Sequence, residues 1–469
     1  MGYKPSSPVF LGDIILLEDS KREPLSSMQR ASRKGQYPYY GAQGIVDYLS
    51  DYTFEGKRLL VAEDGENLRS RKLPIANSVD GKFRVNNHAH VLCETNKCNI
   101  DYLRFYLNST DISAYITGST QPKLSQTSLL GMRLDLPPKE KQDAIVSFLA
   151  AIERKINLNT RLNGYLEELA ALEFSRRFGE IESSIDLGKV LSISTKTLKP
   201  QNCHGKIWEH YSIPAYDANR RPVFELADGI KSNKYVIDAN CILISKLNPS
   251  IRRIWMPACS SKQAVCSTEF IVYKPKNPVH KAFYYAAIGA PAFRDFLLAH
   301  VTGSTGSRQR TKPKATLTYP IPNPGLESVE DFCAFANPLY EQIKVNERNS
   351  AQLEELRDTL LPKLMTGEID VSELDLKQLN SHLAKSLRQL GRHVSPQKTG
   401  QSALLRAAPR RWLSHHDPNR HRSPTYQKSQ RAIPCVWAFL LGRNPLPPLP
   451  PDAAARRLHG ARSGTGRAI

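Results

Sequence analysis

KINLNTRLNGYLEEL, residues 155–169, and QIKVNERNSAQLEEL, residues 342–356, are the two stretches on which the fold turns. Ile156, Asn159 and Leu166-Glu167-Glu168-Leu169 of the first return as Ile343, Asn346 and Leu353-Glu354-Glu355-Leu356 of the second, 187 residues later. Around the first, Ile145, Leu149, Ile152, Ile156, Asn159, Asn163, Leu166 and Ala170 fall at alternating spacings of four and three. That is the heptad seam of a helix that buries one stripe against a partner. Leu339, Ile343, Asn346, Ser350, Leu353 and Leu360 form the corresponding seam in the second stretch.

The repetition reaches further out. Leu11-Gly12 returns as Leu187-Gly188, and Thr117-Gly118-Ser119-Thr120 returns intact as Thr302-Gly303-Ser304-Thr305. A period near 180 residues lies far above the roughly 20–50 residues of solenoids and propellers. It predicts two domain-sized units, each ending in a long helix. The expected division is a mixed α/β (α+β) domain over 1–138, a helical region over 139–180, a second α/β domain over 181–326 and a second helical region over 327–375. Pro137-Pro138 predicts a helix start, Gly179 a stop, and a helix over 139–177 would be about 58 Å long at about 1.5 Å per residue. Pro338 predicts a break in the second region, with a short helix up to Ala336 and a long one from Pro338, closed by Pro362 and Gly367. The two helices are expected to pair as an antiparallel coiled coil, with Asn159 and Asn346 as polar seam residues that fix register.

The formal charge of +20 would suggest nucleic acid directly, but its distribution does not. Residues 376–469 hold 17 Lys/Arg against 2 Asp/Glu, whereas the preceding 375 residues hold 48 against 43. The segment 376–469 is Arg-rich, carries a Pro-rich stretch at 444–451, and is expected to be a basic disordered tail foreign to the repeat. No apolar run approaches the roughly 18–20 residues of a membrane span, and the N-terminus lacks an apolar leader. Eight cysteines without a Cys-x-x-Cys pair predict reduced thiols in a cytosol.

Signatures of chemistry are missing. There is no Gly-x-x-x-x-Gly-Lys-Ser/Thr, Gly-x-Gly-x-x-Gly, Gly-x-Ser-x-Gly or Asn-Pro-Pro-Tyr/Phe. Asp51, Glu55 and Lys57 are too tightly spaced to hold Mg²⁺ across a strand, and read as a solvated turn. His88 and His90 start a metal pair without a nearby third ligand, and read as a polar strand face. No catalytic residue, metal ligand or resident cofactor is therefore expected.

What remains are polar, aromatic and basic loops at comparable places in both halves. Tyr40 and Gln43 sit in Tyr37-Pro38-Tyr39-Tyr40-Gly41-Ala42-Gln43-Gly44, and Arg69 and Lys72 follow downstream. Gln, Asn and Arg carry the donor and acceptor forks that read base edges. Behind the Thr-Gly-Ser-Thr repeat come Gln121, Lys123 and Ser125 in one half and Ser307, Arg308, Arg310 and Lys312 in the other. Small hydroxyls beside cations suit phosphate oxygens. In the second half Lys246, Asn248, Arg252 and Arg253 flank Trp255, and Tyr211 and Tyr216 stand on either side of a Pro-Ala turn.

Residues 1–375 resemble the specificity subunit of type I restriction–modification systems. The resemblance rests on YPYYGAQGIVDYLSDYTFEGKRLLVAEDGENL (37–68), VNNHAHVL (85–92), the helix start LPPKEKQDAI (136–145), YSIPAYD (211–217), SKLNP (245–249), STEF (267–270) and LRDTLLPKLMTGEIDVSEL (356–374), together with the duplication. It implies two target-recognition domains, 1–138 and 181–326, joined by spacer helices and facing a bipartite, non-palindromic site on double-stranded DNA. It also implies a non-catalytic subunit in a bacterial or archaeal cytoplasm. Such a subunit docks two methyltransferase subunits and, in the full complex, restriction subunits, with S-adenosylmethionine, ATP and Mg²⁺ on those partners. The expected DNA-facing residues are Tyr40, Gln43, Arg69, Lys72, Gln121, Lys123, Lys246, Asn248, Arg252, Arg308 and Lys312. Two rivals are a self-contained restriction or modification enzyme with an unrecognised active site and a helical scaffold that ignores DNA. Family chains end soon after the Gly367-Glu368-Ile369-Asp370 segment, so the tail departs from the pattern.

Overall fold

The computed structural model describes residues 8–302 and 309–371. The expected tail, Arg308, and Gly303, Ser304 and Thr305 of the second Thr-Gly-Ser-Thr lie outside the described residues. The described chain divides into two compact units, one from residues 8–157 with 350–371, the other from residues 158–349.

In the first unit, Arg58–Ala62 (RLLVA) is buried almost throughout, as a strand covered on both faces must be. It lies inside an antiparallel sheet in the order Leu16–Leu17, Ala89–Cys93, Arg58–Ala62, Ala76–Val79. Successive side chains point to opposite faces, and the two faces meet different cores. Leu59 and Val61 pack with Tyr102, Leu103, Phe105 and Leu107 of the helix Ile100–Ser109. Leu60 packs with Phe54, Phe83 and Val85 beneath a second sheet. That sheet runs Gly44–Leu49, Lys34–Gly41, Lys82–Val85, Phe54–Glu55, with Lys34–Gly41 parallel to Lys82–Val85. Asn99 starts the helix by accepting from the Asp101 and Tyr102 amides.

The second unit repeats this logic with its own residues. Ile242–Ser245 (ILIS) is fully buried inside the antiparallel order Leu191–Ser194, Phe270–Pro275, Ile242–Ser245, Ile254–Trp255. Ile242 and Ile244 share a core with the helix Lys281–Gly289, whereas Leu243 packs with Tyr211, Trp255 and Cys266. Its second sheet has five strands and again one parallel pair, Ile207–Tyr211 beside Ala264–Ser267. The Pro-Ala segment after Tyr211 opens the short helix Ile213–Asn219 instead of a turn, because Ser212 caps it and Pro214 sits at its start.

The repeated Leu-Gly pair turns out to be a packing device. Leu11 and Leu187 are both fully buried. A Cβ on Gly12 would stand 3.3 Å from the Leu130 Cβ, and one on Gly188 would stand 3.0 Å from the Leu317 Cβ. Only glycine admits so close an approach without displacing a neighbour.

The long helices are Lys139–Phe178 and Leu326–Met365, 40 residues each. The expected break at Pro338 does not occur, and the helix also passes Pro362. An interior proline forfeits one hydrogen bond and costs about 3 kcal/mol. Both prolines are exposed, as is Ala334, whose carbonyl loses its amide partner at Pro338. Ala336, Leu339, Tyr340 and Ile343 on the inner face stay buried, and that packing outweighs the lost bond. Gly367, at φ 72°, closes the helix. On the seams Ile145, Leu149, Ile152, Leu166 and Ala170 are buried, as are Leu339 and Ile343. In the first unit Ile145, Leu149 and Ile152 share a core with Leu353, Leu360 and Leu364. In the second, Leu162, Leu166 and Phe174 share one with Phe332, Leu339 and Ile343. There Asn346 is 1% exposed and its Nδ2 donates to Asn163 Oδ1 at 2.7 Å, while Asn159 Nδ2 donates to the Asn346 carbonyl at 3.4 Å.

Candidate nucleic-acid interface

In the first unit the strand Arg58–Ala62 runs out into Glu63, Asp64 and Gly65. The segment behind Thr117-Gly118-Ser119-Thr120 lies against it: the Leu124 amide donates to the Glu63 carbonyl at 2.8 Å and the Gly65 amide to the Pro122 carbonyl at 3.1 Å. In the second unit the strand Ile242–Ser245 runs out into Lys246, Leu247 and Asn248, and the same two bonds recur. The Thr311 amide donates to the Lys246 carbonyl at 3.0 Å and the Asn248 amide to the Gln309 carbonyl at 2.9 Å. Gly65 and Asn248, at φ 109° and 48°, both take the left-handed backbone that this turn requires. Thr117 and Thr302 complete the correspondence, their hydroxyls donating to the carbonyls of Lys123 and Arg310 at 3.2 and 3.0 Å. Each unit therefore carries one backbone clamp of identical pattern, and the two clamps are built from different residues: Glu63, Asp64 and Lys123 in one, Lys246, Leu247 and Arg310 in the other.

The predicted residues fall into distinct positions around these clamps. Gln43 is exposed at the tip of the hairpin between Lys34–Gly41 and Gly44–Leu49. Lys72, Gln121 and Lys312 are exposed, and Lys246 and Asn248 are half-buried. Lys123 is exposed and pairs with Glu63 at 3.3 Å. Tyr40 turns largely inward, edge-on to Phe83 with ring centroids 5.7 Å apart, and burial pushes its hydroxyl pKa up. Arg69 is exposed, but its guanidinium is spent on its own fold, donating to the Ser119 carbonyl at 2.9 Å and the Gly118 carbonyl at 2.5 Å. Arg253 is buried and forks onto Asp217 at 2.6 and 2.8 Å. Arg310, exposed and absent from the expected DNA-facing set, is braced by Glu269 at 3.0 Å. Arg308 lies outside the described residues.

Beneath the first clamp is a polar cluster that sequence reasoning missed. His90 is 1% exposed, with Nδ1 2.6 Å from Asp19 Oδ2 and Nε2 2.8 Å from the Leu124 carbonyl. Glu63 lies 3.9 Å from the same Nδ1. Asp19, Glu63 and His90 thus form a triad of metal-ligand type, although no third ligand lies near His88 and His90 in sequence. Arg22 already stands between the carboxylates, 3.2 Å from Asp19 and 2.7 Å from Glu63. A guanidinium in that position supplies the cation, so the donor set does not fit a metal ion. Burial alone would raise the Glu63 carboxyl; bonds from Arg22 and Lys123 and the charge of His90 override it and hold the group below the usual carboxylate range. His88 sits outside this cluster, exposed and 2.6 Å from Asp64. Asp51, read from sequence as solvated, pairs with Arg84 at 3.0 Å. No helix among the described residues is long and apolar enough to cross a membrane.

Residues 3–168 match the family "Type I restriction modification DNA specificity domain". A Haemophilus influenzae protein named as a type I restriction enzyme specificity subunit is 35% identical over 143 residues, 30% of this chain and 36% of that one. The EcoprrI specificity subunit of Escherichia coli is 26% identical over 29% of this chain and 33% of its own. The chain thus spans about a third of the length of these two relatives. The MjaIX specificity subunit of Methanocaldococcus jannaschii is 24% identical over 316 residues, 58% of this chain and 70% of that one. In fold, the chain is similar to the crystal structure of the type I restriction–modification S subunit from M. genitalium, with a TM-score of 0.53 at 14% identity over 78% of this chain and 97% of that one.

Proposed function

We propose that this chain is a type I restriction–modification specificity subunit that reads a bipartite, non-palindromic site on double-stranded DNA and directs partner subunits to it. The observation that carries the reading is the pair of clamps. An identical backbone frame recurs in both units, and the side chains around it differ. A reader of two different half-sites needs that combination, since frame residues set position on the duplex and displayed side chains choose the bases.

In this reading Gln43, Lys72, Gln121, Lys123, Lys246, Arg310 and Lys312 face DNA. The two long helices pair as an antiparallel coiled coil and serve as the spacer, with half-sites about one helical turn, roughly 34 Å, or a multiple apart. The chain itself is non-catalytic. Two methyltransferase subunits supply S-adenosylmethionine chemistry, and restriction subunits supply ATP- and Mg²⁺-dependent chemistry, in a cytoplasmic complex.

The test is methylome sequencing of cells expressing the full chain with its methyltransferase partner. The expected result is a methylated motif in two parts with an unspecified gap, of which exchange of residues 1–138 alters one part only. Methylation by this chain alone would establish the enzyme reading, and a selection on randomised duplexes that returns no motif would establish the scaffold reading.

A further inference from the structure

The second unit contains two adjoining cavities of about 430 Å³ each. They share Glu167, Ala171, Arg252, Gly289, Ala290 and Pro291 in their walls, so the Arg252 side chain stands where one meets the other. Gly289 makes this possible: a Cβ there would lie 3.0 Å from Arg252 Nη2. The walls of the first are mainly apolar, with Phe174, Phe178 and Ile321 prominent. A volume within about 300–1,000 Å³ and apolar walls with a few convergent polar groups are the usual features of a small-molecule site.

The polar groups select the charge of the occupant. Arg252 has no hydrogen-bond or ion-pair partner among the described residues. Glu167 is already satisfied by Arg220, at 2.7 and 3.1 Å, and Arg253 by Asp217. Glu168, an exposed carboxylate, lines the second cavity and not the first, where the tyrosines stand. Tyr285 and Tyr340 stack edge-to-face at 5.1 Å in the first cavity, and their hydroxyls have no partner among the described residues. Burial keeps both phenols protonated, so they act as donors.

We propose that these cavities form a binding site for a small amphipathic anion, with an aromatic or aliphatic body in the apolar walls and one carboxylate, sulfonate or phosphate held by Arg252 and the two tyrosine hydroxyls. The assignment takes Arg252 away from DNA and is independent of the DNA-reading function.

The probe is 8-anilinonaphthalene-1-sulfonate, titrated into the full-length chain and followed by its fluorescence. Saturable binding is expected, weakened at least tenfold by Arg252→Gln and likewise by Ala171→Trp, whose larger side chain crowds the wall that both cavities share, while Lys312→Gln leaves it unchanged. Thermal melts confirm that each variant is folded; if Ala171→Trp is not, Arg252→Gln decides alone. Non-saturating fluorescence, equal affinity in Arg252→Gln, or displacement of the probe by duplex DNA would each overturn the proposal, the last by making the cavities part of the DNA surface.

Discussion

Replacing Arg69 by alanine separates a residue that touches DNA from one that shapes the loop that does. The Arg69 guanidinium makes two charge-assisted bonds, to the Ser119 and Gly118 carbonyls at 2.9 and 2.5 Å. Such bonds are worth about 1.5–3 kcal/mol each when buried, but Arg69 is exposed, and screening reduces each to about 0.5–1 kcal/mol. Their joint loss frees the Thr117-Gly118-Ser119-Thr120 loop by about 1–2 kcal/mol, which corresponds to a roughly 5- to 30-fold loss of affinity. The assay is fluorescence anisotropy with a labelled duplex carrying the methylated motif, repeated over a range of salt. A positioning residue leaves the slope of log affinity against log salt unchanged, whereas each lost phosphate contact lowers its magnitude by about 0.9. Arg69→Lys keeps the charge but not the fork, so it should resemble alanine. A slope that falls by about 0.9 in Arg69→Ala, with Arg69→Lys behaving as wild type, would refute the reasoning.

Two other outcomes test the frame. Asn346→Leu strips Asn163 Oδ1 of its donor and should lower stability by about 1–2 kcal/mol, whereas Asn163→Leu with Asn346→Leu removes both partners and should recover most of it; urea midpoints at constant slope are the measurement, and a double variant worse than the sum of the singles would contradict it. The Glu63 carboxyl is depressed in the folded state, so its contribution is fully present above the unfolded value of about 4.3 and fades as pH falls through the folded one. Glu63→Gln should therefore flatten the acid limb of stability against pH and change nothing in slope near neutrality; parallel acid limbs for the two proteins would argue against it.

Local pattern made several elements legible. Arg58–Ala62 is a short continuous apolar run, the pattern of a strand covered on both faces, and the apolar and aromatic side chains of Tyr102–Leu107 suit a helix. The heptad seams followed from the same rule: Ile145, Leu149, Ile152, Asn159, Leu166, Ala170, Leu339, Ile343, Asn346 and Ser350 are buried, whereas Ile156, Asn163, Leu353 and Leu360 are half-buried and Leu162 is buried beside the first seam. Pro338 misled because propensity is a local quantity, while the inner face formed by Ala336, Leu339 and Tyr340 is decided by what packs on it. Leu11-Gly12 and Leu187-Gly188 were visible as a repeat, but only the close approach of Leu130 and Leu317 reveals why the glycine is there. Arg69 reads as a DNA-facing cation in sequence because its acceptors, the carbonyls of Gly118 and Ser119, lie far along the chain.

By itself the sequence determined that the chain is duplicated, that each copy ends in a long striped helix, and that the positive charge concentrates beyond residue 375. Those are statements about periodicity and composition, which need no partner residue to be read. Only the tertiary structure decided which polar side chains are displayed and which are consumed. Asp19, Glu63 and His90 meet around Arg22, and the strand exits at Glu63 and Lys246 clamp segments some 60 residues downstream. Whether a cation is available to a ligand depends on where its acceptors lie in space, and chain order carries no record of that.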